Sequence, residues 1–426
     1  MPRSNQPAVI IGAGIGGLAA ALCLHRAGIP AVIYESVNAI RPLGVGINLL
    51  PHSVRILTDL GLADALDAIA VRTAELAYYN KFGQRIWSEP RGREAGYHWP
   101  QYSVHRGALQ MLLCATVQQR LGHDAIRTGH LLERIDGDGE QATLQLRRRV
   151  DDTALEPVAA PFVVAADGIH STARRQRYPD EGPPKFAGQL LWRGTTIAPS
   201  FLTGRTMIMA GHQGQKFVCY PVARHAGGTC LINWIAEQRV GGAQPPRSSD
   251  WNREIDRQSF APLFKSWKFD WLDIPALIEG AGAVYEFPMV DRDPLPQWTF
   301  GRATLLGDAA HPMYPIGSNG ASQAILDAEA LSVAMQQETS IGAALVRYEN
   351  ERRPATARIV ESNRQMGPER VMQIVEERAP DGFTDLSKVI AREELEAIAA
   401  TYKQVAGFER DTLNQRAPAG ASRPNP

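Results

Sequence analysis

"AVIIGAGIGGLAAALCLHRAGIPAVIYES", Ala8–Ser36, decides the fold. Ala8–Ile11 is short and wholly apolar, the character of a strand covered on both faces. Leu18 to Arg26 is built largely from Ala and Leu, strong helix formers, and Gly28 stands where a helix C-cap glycine belongs. "AVIYE" then supplies a second buried strand. The stretch is one complete βαβ unit, right-handed by the general crossover rule. Its apolar run approaches membrane-helix length, but four glycines and the ending "HRAG" fit strand, turn and helix better than a membrane span.

Gly12, Gly14 and Gly17 spell G-x-G-x-x-G at the strand-to-helix junction, with Ile15 and Gly16 inside the same turn. The first glycine permits the tight turn, the second lets a pyrophosphate approach the backbone, and the third lets helix and strand pack closely. The helix N-terminus adds free N–H groups and a positive dipole end. Glu35, closing the second strand, can accept from ribose hydroxyls. These residues together point to a dinucleotide. A second fingerprint is missing, since "GAGAVYEF" (Gly280–Phe287) lacks the spacing, and there is no redox cysteine pair.

Working outward, 426 residues allow two or three domains, and 44% hydrophobic with 21% charged residues is an ordinary globular balance. Lys plus Arg equals Asp plus Glu at 45 each, so no net basic field recruits nucleic acid or an anionic membrane. Cys23, Cys114, Cys219 and Cys230 are scattered without metal-type spacing, which suits buried free thiols in a reducing cytoplasm and argues against a metal site. A helix is expected from Ser53 to about Leu60, a hairpin over Glu75–Pro90 turning at "NKFG", and a helix over Val104–Gly122. Phe162–Gln176 reads as strand, loop and helix. From about Pro183 to Pro288 alternating runs predict a separate antiparallel sheet, with an exposed loop at Val240–Trp251. The tail beyond Gly407 is expected to be disordered. The fold class is α/β with a discontinuous β-rich domain. Residues 1–74, 101–180 and 286–365 form the nucleotide-binding part, 75–100 and 181–285 the sheet part, and 366–426 the C-terminal helices and tail.

Two further motifs, "DGIHSTAR" (Asp167–Arg174) and "GDAAHPMYPIGSNGASQAILDA" (Gly307–Ala328), follow the glycine fingerprint in order. Together the three resemble the signatures of the single-component (class A) FAD-dependent aromatic hydroxylases of the para-hydroxybenzoate hydroxylase fold. The resemblance runs to about Arg364. Within the family, "RPLGVGIN", "WSEPRG", "PQYSVHRG" and "YEFPMVDRDPLP" look closest to phenazine hydroxylases.

The resemblance implies one extended FAD, gripped at its adenosine end by the first βαβ unit and at its flavin end by the late segment. Asp308 would accept from ribityl or pyrophosphate-side hydroxyls. Gly317, Gly320 and Ala321 would open a helix onto the flavin, with small residues because side chains would meet the ring. Pro315 would sit beside the reacting flavin carbon. Asp167 and Arg174 match a motif serving FAD pyrophosphate and nicotinamide nucleotide, the alternative being a helix cap and a surface charge. Arg106, Leu131 and the loop residues Gly44 and Val45 join the cofactor set. Trp192, Arg193 and Tyr220 are candidates for the substrate wall, since aromatic faces stack on planar rings and arginine pairs with carboxylates. His311 fits a structural role better than that of a base, and His212 and His225 fit surface loops. The implied chemistry is hydroxylation of an aromatic or N-heteroaromatic acid or phenol, with decarboxylation as a sub-hypothesis. NADH or NADPH would be the reductant, O2 the co-substrate and a flavin C4a-hydroperoxide the oxygen donor. A flavin dehydrogenase or oxidase and a non-catalytic flavin-binding protein remain as alternatives. The oligomeric state is left open.

Overall fold

Three segments far apart in the chain meet in one sheet. In the computed structural model, which describes residues 6–137, 139–245 and 253–416, Ala8–Ile11 pairs in parallel with Ala31–Tyr34 and with Val163–Ala165. Val163–Ala165 in turn pairs in parallel with Ala303–Leu305. Ile126–Arg127 and an antiparallel Thr299–Phe300 complete six strands. All residues of the four inner strands are buried, as a parallel sheet covered by helices requires. One covering helix is Ile15–Arg26, and the late helix Gly320–Gln337 packs across it.

The second large sheet has eight strands and includes the expected hairpin Glu75–Tyr79 and Arg85–Pro90. The expectation of a purely antiparallel sheet is corrected at one place, where Thr206–Gly211 runs parallel to Glu75–Tyr79 because the hairpin joins from outside the main meander. Alternation along the strands gives two distinct faces. The back carries an aromatic cluster in which Trp192 stacks on Phe260 (4.6 Å, 10°), with Phe217, Trp234 and Phe264 beside them. Burial of each such ring stabilises the sheet by roughly 1.5–3 kcal/mol. The front carries Leu191, Met207, Met209 and Tyr220, and part of it is covered by Val371, Met372, Val375 and Leu395 from the C-terminal helices.

A small antiparallel sheet of Gly46–Leu49, Gln101–His105 and Ala70–Thr73 bridges the two large ones. Gly46 N donates to Asn233 Oδ1 (2.6 Å) across this junction. A further sheet of His130–Asp136, Ala142–Arg148 and Val158–Ala160 was not anticipated.

Several boundaries move. The helix expected from Val104 begins at Arg106, because Gln101–His105 is claimed by strand pairing. The helix expected from Ser53 begins at Pro51, a residue suited to the first helical position. The tail is ordered past Gly407: Arg410–Asn414 is helical, Leu413 is buried, and Tyr97 Oη donates to the Phe408 carbonyl (2.7 Å). Part of the expected loop Val240–Trp251 and the last residues of the tail lie outside the described residues. All four cysteines are buried and unpaired, and among the described residues no helix is long and apolar enough to cross a membrane.

The C-terminal helix Arg392–Val405 locks onto the late segment through Tyr402, whose hydroxyl donates to the Ile316 carbonyl (3.2 Å) and accepts from Asn319 Nδ2 (2.9 Å). Gly317 has φ +67°, and a Cβ there would stand 1.8 Å from that hydroxyl. Gly317→Ala is expected to destabilise the protein by about 2–4 kcal/mol in urea unfolding, from strain plus overpacking. An unchanged midpoint would contradict this contact.

Candidate cofactor cleft and active site

A cleft of about 350 Å³ runs from the glycine turn to the front of the large sheet. Gly14, Ile15 and Gly16 line one end, Asp308, Pro315, Gly320 and Ala321 line its length, and Arg193 and Tyr220 lie at the sheet end. Both helices that open here, Ile15–Arg26 and Gly320–Gln337, lack a side-chain cap. Missing caps alone do not single them out, since the helices starting at Pro51, Arg370 and Arg392 lack one too, whereas Ser171, Asp273 and Ser340 cap those starting at Thr172, Ile274 and Ile341; what sets the pair apart is that both open onto one cleft. Uncapped N–H groups and positive dipole ends from opposite ends of the chain thus face one cavity, a ready setting for a negatively charged ligand.

The glycines divide by what surrounds them. Gly12 (φ +100°) and Gly17 are required by the protein: a Cβ would meet the Ala166 carbonyl oxygen at 2.5 Å and the Gly12 carbonyl oxygen at 2.0 Å respectively. At Gly14 and Gly320, whose φ is unexceptional, a Cβ would meet nothing within 4 Å beyond the adjoining backbone. Their smoothness therefore leaves room for something other than protein. Glu35 accepts from Ala13 N (2.7 Å) and Val37 N (2.9 Å), so it shapes the glycine turn while retaining acceptor capacity for a hydroxyl. Leu131 lies next to this end, one residue after the His130 N–H that donates to the Glu35 carbonyl (2.9 Å), but it does not line the cleft.

Asp308 opens onto the cleft, and the surrounding protein pushes its carboxyl up while His311 and Arg106 oppose that shift. Behind it Asp327 is fully buried, accepting from His311 Nε2 (2.6 Å), Arg352 Nε (2.7 Å) and Gly307 N (3.0 Å). Burial alone would raise Asp327, but His311 and Arg352 outweigh it and hold the carboxyl at about 2. His311 therefore belongs to the scaffold, holding the turn that presents Asp308.

Asp167 Oδ2 caps the following helix through Thr172 N (2.7 Å), while Oδ1 is buried without a hydrogen-bond partner among the described residues. Burial raises this carboxyl, and an unmet acceptor beside the cleft fits a hydroxyl-bearing ligand. Arg174 corrects both expectations. It is neither a surface charge nor free for phosphate: it is 1% exposed and donates to Glu181 and to the carbonyls of Ala310 (2.8 Å), Ala309 (3.2 Å) and Asp293 (3.0 Å). It braces the Asp308 turn from behind. Gly317 is also reassigned, since its missing side chain makes room for Tyr402. Arg106 lines the cleft and packs against Gly44 (φ +104°), and its N–H donates to the carbonyl of the buried Val45 (2.9 Å).

Trp192 is removed from the substrate wall, because strand alternation sends it to the back of the sheet. Arg193 and Tyr220 face the cleft, yet both donate to the Gly46 carbonyl (2.9 Å each), so they pin the bridging strand. His225 is exposed, and His212 is half-buried beside a second cavity. Sequence reasoning missed Asn48, Met207, Met209, Met313, Ser318, Glu237 and Glu369, all of which line the cleft. Ser318, a non-glycine residue at φ +57°, carries strain there that no motif announces.

A model of the FAD binding domain family matches residues 5–363. The chain belongs to that family. It is 43% identical over 401 residues to the phenazine 1,6-dicarboxylic acid hydroxylase PhzS of Lysobacter antibioticus, covering 93% of this chain and 96% of the relative. It is 35% identical over 386 residues to the 3-amino-4-hydroxybenzoate 2-monooxygenase PtnB3 of Streptomyces platensis, covering 86% and 89%. Klebsiella pneumoniae HpxO, solved with FAD and uric acid, superposes with a TM-score of 0.70 at 21% identity, covering 97% of this chain and 96% of that one. The protein is an FAD-dependent enzyme of the aromatic hydroxylase and monooxygenase class.

Two outcomes follow from the geometry. Gly14→Val should leave the apoprotein's thermal midpoint nearly unchanged but weaken FAD binding at least about a hundredfold by fluorescence titration. Parallel loss of stability would mean that the space at Gly14 belongs to protein. Asp327→Asn should cost about 3–5 kcal/mol at neutral pH by leaving the buried Arg352 charge uncompensated and weakening the hydrogen bond to His311. Since the folded carboxyl is depressed, the difference from wild type is full above the unfolded value near 4 and shrinks as pH falls toward about 2. A pH-independent difference would contradict the network.

Proposed function

We propose that the protein hydroxylates an aromatic or N-heteroaromatic acid or phenol, with NADH or NADPH as reductant and O2 as oxygen source, in the cytoplasm where those coenzymes are supplied. The observation that carries the proposal is the continuity of one cleft from two uncapped helix N-termini to a sheet face lined by Met207, Met209, Val218 and Ile235. In this reading residues 1–74, 101–180 and 286–365 hold the cofactor, and 75–100 and 181–285 present the substrate surface. The relative named for a phenazine dicarboxylic acid supports a tricyclic N-heteroaromatic acid as the preferred substrate.

The chemistry supplied by bound FAD would be hydride acceptance from the nicotinamide coenzyme and activation of O2, with one oxygen atom going to the ring and the other to water. The chain's own residues do the rest. The first helix N-terminus binds the diphosphate, and Glu35, Asp167 and Asp308 accept from hydroxyls. The N–H groups at Gly320 and Ala321 favour negative charge at the flavin end, and Pro315 forms the rigid wall of the reaction chamber. Methionine and aliphatic side chains exclude water and shape themselves around a planar ring. Arg193 and Tyr220 keep the Gly46 strand, and so Asn48, in place beside the substrate.

The test is NADH and NADPH oxidation by the FAD-loaded protein against salicylates, hydroxybenzoates, quinolines and phenazine carboxylates, with peroxide and product mass read together. One compound should stimulate oxidation and gain a single oxygen, or exchange a ring carboxylate for hydroxyl. Substrate oxidation without coenzyme would favour a dehydrogenase or oxidase. A flavin that stays oxidised anaerobically in excess NADH and NADPH would reduce the protein to a flavin carrier.

A further inference from the structure

Asn319 stands at the position that caps the late helix Gly320–Gln337, and asparagine is among the residues best suited to capping. The helix nevertheless opens without a side-chain cap. Leu50, Glu369 and Ala391, which precede the uncapped helices at Pro51, Arg370 and Arg392, lie outside the usual capping set. The Asn319 side chain is engaged elsewhere. Its Nδ2 donates to the Tyr402 hydroxyl (2.9 Å), and its Oδ1 accepts from Gln323 Nε2 (3.3 Å). All three residues are buried.

Tyr402 comes from the helix Arg392–Val405, beyond residue 363 where the family match ends. Its hydroxyl donates to the Ile316 carbonyl (3.2 Å), and Asn363 Oδ1 stands at the same distance as a competing acceptor. Asn363 Nδ2 in turn donates to the Tyr314 carbonyl (3.1 Å). One tyrosine is thus tied to the turn 314–319 on both sides of its two left-handed residues, Gly317 (φ +67°) and Ser318 (φ +57°). Left-handed backbone is unfavourable for serine, so Ser318 keeps it only while its surroundings impose it. Asn319 follows at φ −96°, ψ −25°, whereas a capping residue typically takes extended backbone.

We propose that Tyr402 is a positioning residue that keeps Asn319 from capping the late helix, and so leaves the first-turn N–H groups, that of Ala321 among them, to the flavin. This rests on the functional reading above, in which the flavin end of FAD lies at Gly320 and Ala321. Without the Tyr402 hydroxyl, Ser318 relaxes to negative φ and Asn319 becomes extended. Asn319 Oδ1 then accepts from the N–H of Ala321 or Ser322, the donors that a side-chain cap takes. Those donors are lost to the ligand. Two-electron reduction adds negative charge to a flavin, so their loss disfavours the reduced form more than the oxidised one.

The test compares Tyr402→Phe, which keeps the ring that packs against Gly317 and Gly367, with the same variant carrying Asn319→Ala as well. In Tyr402→Phe the apoprotein should bind FMN about tenfold more weakly, while AMP binds as before. The two-electron midpoint of bound FAD should fall by about 30 mV, a further tenfold against the reduced form. Adding Asn319→Ala removes the new cap and should restore most of both losses. A merely structural role for Tyr402 predicts the opposite, since a second buried deletion would deepen them. If Tyr402→Phe does not fold, amide exchange in the wild-type apoprotein decides: the Ala321 N–H should exchange rapidly and be protected by FMN but not by AMP. Slow exchange without FMN, an FMN affinity or midpoint unaltered in Tyr402→Phe, or a double variant no better than the single one would each overturn the proposal. Gly320→Val separates it from the functional reading. FMN binding lost in Gly320→Val but unaltered in Tyr402→Phe overturns the proposal alone, whereas FMN binding indifferent to Gly320→Val overturns the functional reading and the proposal with it.

Discussion

Everything in the cleft depends on how closely two helices approach at Gly16. A Cβ at that position would stand 2.8 Å from Leu306 Cδ2 and 3.1 Å from Ala324 Cβ. Without it, the helix that follows the first strand lies directly against the helix that ends the late motif. The contact brings two uncapped N-termini, separated by some three hundred residues of sequence, to the same cavity. The buried Asp327 then ties the late helix to the Gly307 turn through His311 and Arg352, and Arg174 braces the same turn from the other side. A buried ionic network of this kind contributes little net stability compared with an apolar core, but it leaves the turn a single geometry. That geometry is what presents Asp308 and Pro315 to the cleft.

The large sheet has a different task. Its back is a packed aromatic layer, and its front supplies an apolar wall with a few buried charges. Arg193, Tyr220 and Asn233 all reach the Gly46 backbone, while Ser322 of the late helix accepts from Leu50 N (3.1 Å), so the bridging strand is held from both sides. In the proposed reading, cofactor grip and substrate wall are built by separate elements and joined at one strand. Division of this sort suits an enzyme in which the cofactor carries the redox chemistry and the protein orients and shields.

What the sequence made legible was local. The Gly12–Gly17 turn, Glu35 and the Gly307–Ala328 segment could be read because their chemistry is written in consecutive residues. The rest depended on distance in space. Nothing in "LLWRGTT" says that Trp192 faces the aromatic layer and Arg193 the cleft, since one step of register exchanges them. Arg174 reads as a ligand-binding arginine until Glu181, Ala309 and Ala310 surround it. Gly317 reads as space for a ring until Tyr402 arrives from the C-terminal helix. Glu237 reaches the cleft by strand register, and Glu369 from a turn beyond the last motif.

The central claim is that one ligand is gripped at both ends by helices from opposite ends of the chain. Calorimetric titration of the apoprotein with FAD, FMN and AMP tests it most directly. Two joined half-sites predict FAD binding orders of magnitude tighter than either half, with FMN and AMP occupying the protein together, because linkage makes the second contact intramolecular. FMN binding as tightly as FAD, or AMP displacing FMN, would contradict the account.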